Sequence, residues 1–163
     1  MKRMSGNTSI YWVEDVTYDP LLPSLALLTS ARDISCAIAT GYSLNPTKSD
    51  VNTKMTICDT AEVDTPIRYN YEGNLTFFRE GDLADSTSAF TRAFGFFGTA
   101  RKLGYLVRRS GISRATALAI GQKVDSFKFI NDVYQDADDA ELVMFSIKFL
   151  QQGNMKLDKA VVA

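Results

Sequence analysis

Alternation of apolar and polar side chains is longest in residues 67–80. There Ile67, Tyr69, Tyr71, Leu75 and Phe77 fall on one face, and Arg68, Asn70, Glu72, Asn74 and Thr76 on the other. A period of two is that of a strand buried on one side, so one continuous strand is predicted, with a bulge or bend where Gly73 interrupts the apolar face. A polar turn follows, in which Asp85 or Ser86 is placed to cap a helix near 86–97 whose Phe90, Ala93, Phe94 and Phe97 recur at helical spacing. Gly98 stands where a glycine commonly ends such a helix, and the phenylalanines read as a face packed on a sheet. Residues 103–109 then form a strand, with Ser110 and Gly111 as its turn.

The same period returns in the final third. Residues 123–134 put Phe127, Phe129 and Val133 on one face, residues 141–150 put Val143, Phe145, Ile147 and Phe149 on one face, and the acidic stretch 136–140 reads as the hairpin tip between them. Earlier, residues 33–40 and 53–59 read as strands, joined by a loop over 41–52 that is much longer than a hairpin turn requires. In residues 7–16, Ser9, Tyr11 and Val13 alternate with Ile10, Trp12 and Glu14, but Pro20 and Pro23 mark residues 1–32 as an N-terminal arm with a lead-in strand rather than a central strand. Leu25, Leu27 and Leu28 need cover. So does the apolar end of residues 151–163, a C-terminal arm whose residues 160–162 call for a partner. The expected fold is mainly β (α+β), a β-sandwich or small barrel of about seven or eight strands with one flanking helix, its body spanning residues 33–150.

Composition narrows what such a fold does. The chain has 163 residues, enough for one domain with its own core, and its 45% hydrophobic and 23% charged content is that of a soluble globular protein. No apolar run approaches the roughly 18 to 20 residues that span a bilayer, and residues 1–7 have no hydrophobic signal core behind them, so no membrane insertion and assembly in a cytoplasm are expected. The chain has no histidine, which removes Ser-His and Cys-His nucleophile pairs and the usual zinc sites. Cys36 and Cys58 sit in strand-like segments and read as buried free thiols, a disulfide being the alternative. Asp138 and Asp139 lack the following glycine and glutamate of a calcium loop, Ser110-Gly111 is no nucleophile elbow, and residues 95–98 lack the lysine of a phosphate loop. No catalytic, cofactor or metal residue is assigned, and the chain reads as architecture rather than as an enzyme. With a net charge of −1 and scattered cations, it does not resemble a protein that grips phosphate backbones. Arg108 and Arg109, preceded by Arg101 and Lys102, read as partners of helix ends or of neighbouring subunits, a nucleic-acid patch being the alternative.

One order of motifs is familiar. The strand Tyr69-Asn70-Tyr71-Glu72-Gly73-Asn74-Leu75-Thr76-Phe77-Phe78-Arg79, a polar turn, a helix, then Gly104-Tyr105-Leu106-Val107-Arg108-Arg109-Ser110-Gly111 and Gly121-Gln122-Lys123-Val124-Asp125-Ser126-Phe127 resembles the tail tube (major tail) proteins of long-tailed bacteriophages across residues 33–150. The resemblance implies a virion tail subunit, assembled in the host cytoplasm, that closes into hexameric rings stacked as a hollow tube for the genome. It implies as partners further copies of itself, the tape measure, terminator and distal tail proteins, and double-stranded DNA passing through the lumen. Family members use a long early loop and terminal arms to contact neighbours, which carried over here nominates Tyr42, Leu44, Asn45, Pro46, Lys48 and Asp50, with Trp12, Leu157, Val161 and Val162 from the arms.

A lumen wall that lets DNA pass is neutral or acidic, so Asp125, Asp136, Asp138, Asp139 and Glu141 are candidate lumen or rim acids, with an ordinary solvated surface as the alternative. Other readings are a type VI secretion tube, a tail terminator or completion protein of related fold, and more distantly a β-barrel ligand carrier or enzyme. The last needs a deep pocket with converging polar groups, for which the sequence offers no cluster.

Overall fold

The structure is a computed structural model that describes residues 6–14, 17–55, 57–58, 61–81, 84–98, 101–139 and 141–163. In chain order the elements are β1 (Thr8–Glu14), α1 (Leu25–Ser30), β2 (Arg32–Asp33), a 3-10 turn (Ser35–Ala37), β3 (Ser43–Pro46), β4 (Asp50–Lys54), β5 (Val63–Arg68) and β6 (Tyr71–Phe78). They continue with α2 (Ala89–Phe97), β7 (Leu103–Ser110), β8 (Lys123–Asn131), β9 (Gln135–Asp136), β10 (Met144–Gln151) and β11 (Lys156–Ala160). One antiparallel sheet runs β2-β1-β7-β8-β10-β6-β3, while β4 and β5 form a ribbon of their own. The free edge of β8 is divided, its first half pairing with β11 and its last residues with β10. The fold is mainly β with one main helix, and the sheet does not close into a barrel.

Two cores share the strands β1 and β7. Ile10, Trp12 and Leu106 point into the larger one, against Phe77, Phe97, Phe127, Phe129, Phe145 and Phe149. Tyr11, Val13, Tyr105 and Val107 point the other way, under Tyr18, Leu28 of α1, Val124 and Val161. Strands buried on both faces lose the one-sided pattern of a half-buried sheet. Packing in the larger core is aromatic: Phe97 meets the edge of Trp12 at 5.4 Å between ring centres, and Phe77 stacks on Phe145 at 5.1 Å. Gly104 is required there, because a Cβ would come within 2.5 Å of the Val13 carbonyl and 2.7 Å of the Trp12 ring.

Several expectations change. The alternating run 67–80 is two strands, broken at Tyr69 and Asn70, and Ile67 and Tyr69 are exposed rather than on the core face. Gly73 makes no bulge: the β3 ladder passes through it in regular register and the β10 ladder ends on it, and it is small because a Cβ would lie 2.9 Å from the Phe129 ring. The helix is capped by Ser88, whose hydroxyl accepts the Phe90 amide at 3.2 Å. Asp85 instead folds the preceding turn, and hydrogen bonds from Thr87 hold its carboxyl below the ordinary range. Gly98 does end the helix, its amide donating to Phe94 O at 2.8 Å.

Of the predicted strand 33–40 only Asp33 is in a strand, and the segment coils into the 3-10 turn so that Ser35 can bond Ile10 on the edge of β1. Of the strand expected at 53–59, Thr53 and Lys54 lie in β4, which starts at Asp50, and residues 56 and 59 lie outside the described residues. The long loop at 41–52 contains β3 and the start of β4. Val133 and Val143 lie beyond the ends of their strands and are exposed. Both cysteines are free and exposed, Cys36 in the 3-10 turn and Cys58 near the ribbon tip, rather than buried in strands.

Candidate assembly surfaces

The ribbon of β4 and β5 is the clearest unsatisfied surface. Among the described residues its strands pair only with each other, and Val51, Met55, Ile57, Val63, Ile67 and Tyr69 along or beside it are exposed, Ile57 completely. Val63 and Val51 lie on opposite faces by the alternation of the strand, so both faces are partly apolar. The register slips between Asp50 and Val51, leaving Ile67 without an opposite residue. At the base, Arg68 pairs with Asp50 at 2.9 Å, and the Asn70 amide donates to Asp50 Oδ1 at 2.9 Å and to the Lys48 carbonyl at 3.2 Å. Tyr71 fixes the return leg, its hydroxyl donating to Lys128 O at 2.6 Å, and burial pushes its pKa up to about 12.

The two arginines of β7 are interior. Arg108 donates to the carbonyl of Leu44 on β3, to Asn45 Oδ1 at 3.2 Å and to Asp125 Oδ2 at 2.9 Å, with its guanidinium 5.4 Å from the Phe127 ring centre. The sheet therefore curls until its β3 edge approaches β7, and the Arg108 side chain bridges the two. Arg109 is fully buried and meets only neutral acceptors among the described residues: Ser9 Oγ, Gln122 Oε1, and the carbonyls of Ser113 and Thr116. Neither residue is a surface charge for nucleic acid or for a neighbouring subunit. Nearby, Tyr18 bonds Ser126 Oγ at 2.8 Å, and burial pushes its hydroxyl up to about 12.

The nominated contact residues divide. Trp12, Leu44 and Val161 are buried in the subunit's own cores, which removes them from any surface of this fold. Tyr42 is half-buried against the larger core, while Asn45, Pro46, Lys48 and Asp50 are exposed, with Asp50 engaged at the ribbon base. Leu157 is exposed on β11, and Val162 is half-buried, bridging to Ser24 and donating to Pro23 O at 2.9 Å. The partner sought for the apolar tail is thus the chain itself: β11 lies on β8, and β1 of the N-terminal arm is paired along its whole length with β7.

Among the acids, Asp125 is held by Arg108 and also accepts the Asp158 amide at 2.9 Å. Asp136, Asp138, Asp139 and Glu141 share one exposed connection between β8 and β10, where Asp136 lies 3.7 Å from Arg79 and Asp138 accepts the Met144 amide. The residues missed from sequence are those of the ribbon. Pro66 inside an alternating run was their one local signal, since proline in a strand belongs at an edge.

A family model described as phage tail tube protein matches residues 1–163. The chain belongs to the phage tail tube protein family. No curated protein matches this tail tube protein. Among solved structures, a chain from "Cryo-EM structure of the anti-feeding prophage (AFP) baseplate, 6-fold symmetrised" superposes with a TM-score of 0.56 at 12% identity, over 98% of the tail tube protein and 97% of that chain, which places the two in one fold. The tail tube protein is a structural component of a phage tail.

Proposed function

We propose that the subunit closes with copies of itself into a hexameric ring, and that rings stack into the hollow tube through which the genome leaves the capsid. The observation that carries this is the β4–β5 ribbon, whose apolar side chains are exposed in the monomer and find cover only in an assembly. A contact between unlike patches that closes gives a ring, and repeated ring faces give a filament. The six-fold symmetry in the name of the structural neighbour supports the ring number. Asn45 and Pro46 of β3 and Lys48 just after it, with Leu157 and Val162 on the tail, are further contact candidates. Asp136, Asp138, Asp139 and Glu141 supply acid to a rim or lumen that DNA crosses without being held. Tape measure, terminator and distal tail proteins are the expected partners in the virion tail, with assembly in the host cytoplasm.

Because the neighbour comes from a baseplate, a part that stops at one ring is the second reading. Negative-stain microscopy with light scattering over a concentration series separates the two: hollow rods are expected, single rings favour the second reading, and a monomer at every concentration overturns both.

A further inference from the structure

The ribbon joins the sheet through two short legs, residues 47–49 and 69–70. Asn70 ties one leg to the other: its amide bonds Lys48 and Asp50, and its carbonyl accepts the Thr47 amide at 2.9 Å. Those bonds shape the ribbon but do not aim it.

The β3–β6 ladder carries both legs out of the sheet, its last pair being Pro46↔Tyr71, and a second link ties the return leg to β10. The ladder between β10 and β6 runs from Met144↔Phe78 to Phe149↔Gly73 and then stops, two residues short of Gln151 and Tyr71, where the two strands end. A cleft of about 400 Å³ lies where the ladder ends, lined by Tyr71, Gly73, Lys148 and Gln151 among others. The carboxamide of Gln151 spans this gap. Its Oε1 accepts the Tyr71 amide at 3.1 Å, and its Nε2 donates to the Tyr69 carbonyl at 3.1 Å and to Gly153 O at 3.0 Å. A primary amide offers the same acceptor and donor as a peptide group, so this side chain stands in for a missing rung of the ladder. The backbone of Gln151 is itself fixed by pairing with Phe129 on β8. The anchor is rigid, and the residues it grips are the last of the return leg.

We propose that Gln151 is a positioning residue that sets the direction of the β4–β5 ribbon relative to the sheet. Without it, the leg at Tyr69 and Asn70 is free to swing about Tyr71, and the ribbon samples many directions instead of one. Its consequence for tube growth rests on the ribbon being the assembly element, but the positioning itself does not.

The chain carries its own reporters. Cys36 on the body and Cys58 near the ribbon tip are both free and exposed, so spin labels on the two native thiols report ribbon direction as a distance distribution in dilute monomer. The wild-type distribution is expected to be narrow, and Gln151→Ala is expected to broaden it roughly two-fold with little change in far-UV dichroism or Tm. Gln151→Glu keeps the acceptor for Tyr71 but loses the donor to Tyr69, so its width is expected to fall between the two, and it serves as the test should the alanine variant not fold. Superimposable distributions for variant and wild type overturn the proposal. A broadened ribbon in a protein that never forms rods leaves the positioning role standing and removes only the tube reading.

Discussion

Strands β1 and β7 bury both of their faces within one subunit, whereas β4 and β5 bury neither. The two pairs share valine and isoleucine among polar neighbours. The difference lies in what surrounds them: β1 and β7 have α1, Tyr18 and the C-terminal tail on one side and the aromatic core on the other, while the ribbon has solvent on both. Apolar content therefore does not measure what a segment contributes to the stability of its own subunit. In a subunit that assembles, part of it is held back for neighbours.

The comparison is broken or sharpened first at Phe97, whose ring touches Trp12, Phe77 and Phe149. Phe97→Ala is expected to destabilise the subunit by about 3–5 kcal/mol in denaturant titration, through lost burial and a cavity that rigid neighbours do not fill.

Next comes pH. Tyr18 and Tyr71 are raised from 10.0 to about 12 by burial, so the folded state keeps two protons that the unfolded chain releases at lower pH. Their contribution is fully present below pH 10 and is lost as pH rises toward 12, by roughly 3 kcal/mol for each group. Alkaline unfolding followed by dichroism is expected in that window, with a shallower loss in Tyr18→Phe.

The smallest effect on stability is expected in the ribbon. Ile57→Asp with Val63→Lys should change the unfolding free energy by no more than about 0.5 kcal/mol, since both side chains are already in water, yet rods should disappear from micrographs. A large loss of stability from that pair would mean that the ribbon packs on its own body.

The elements legible in the sequence were those buried on one side and framed by turns. Tyr71, Leu75 and Phe77 in β6, Phe127 and Phe129 in β8, and Phe145, Ile147 and Phe149 in β10 announced themselves by alternation, and α2 by its phenylalanines and Gly98. The N-terminal strand was harder because Ile10 to Val13 are all buried, which erases the period, and because the prolines that follow act on the connection to α1 and not on the strand. The ribbon was illegible for the opposite reason. Ile67 and Tyr69 continue the alternation of β6 in sequence, and apart from Pro66 nothing local marks that the chain leaves the sheet between Arg68 and Tyr71. Arg108 and Arg109 read as surface charge because sequence alone does not reveal which carbonyls a curled sheet will bring to a guanidinium.

The capping of the β3 edge by Arg108 bears on solubility. An unfilled strand edge recruits other strands, and a protein accumulating at high concentration would precipitate through it. Here the Leu44 carbonyl on that edge already holds a guanidinium, so an incoming strand would have to evict Arg108 and strand its charge beside Phe127, away from Asp125. The arginine thus acts as a stopper against disordered growth at one edge of the sheet, on a different part of the molecule from the ribbon.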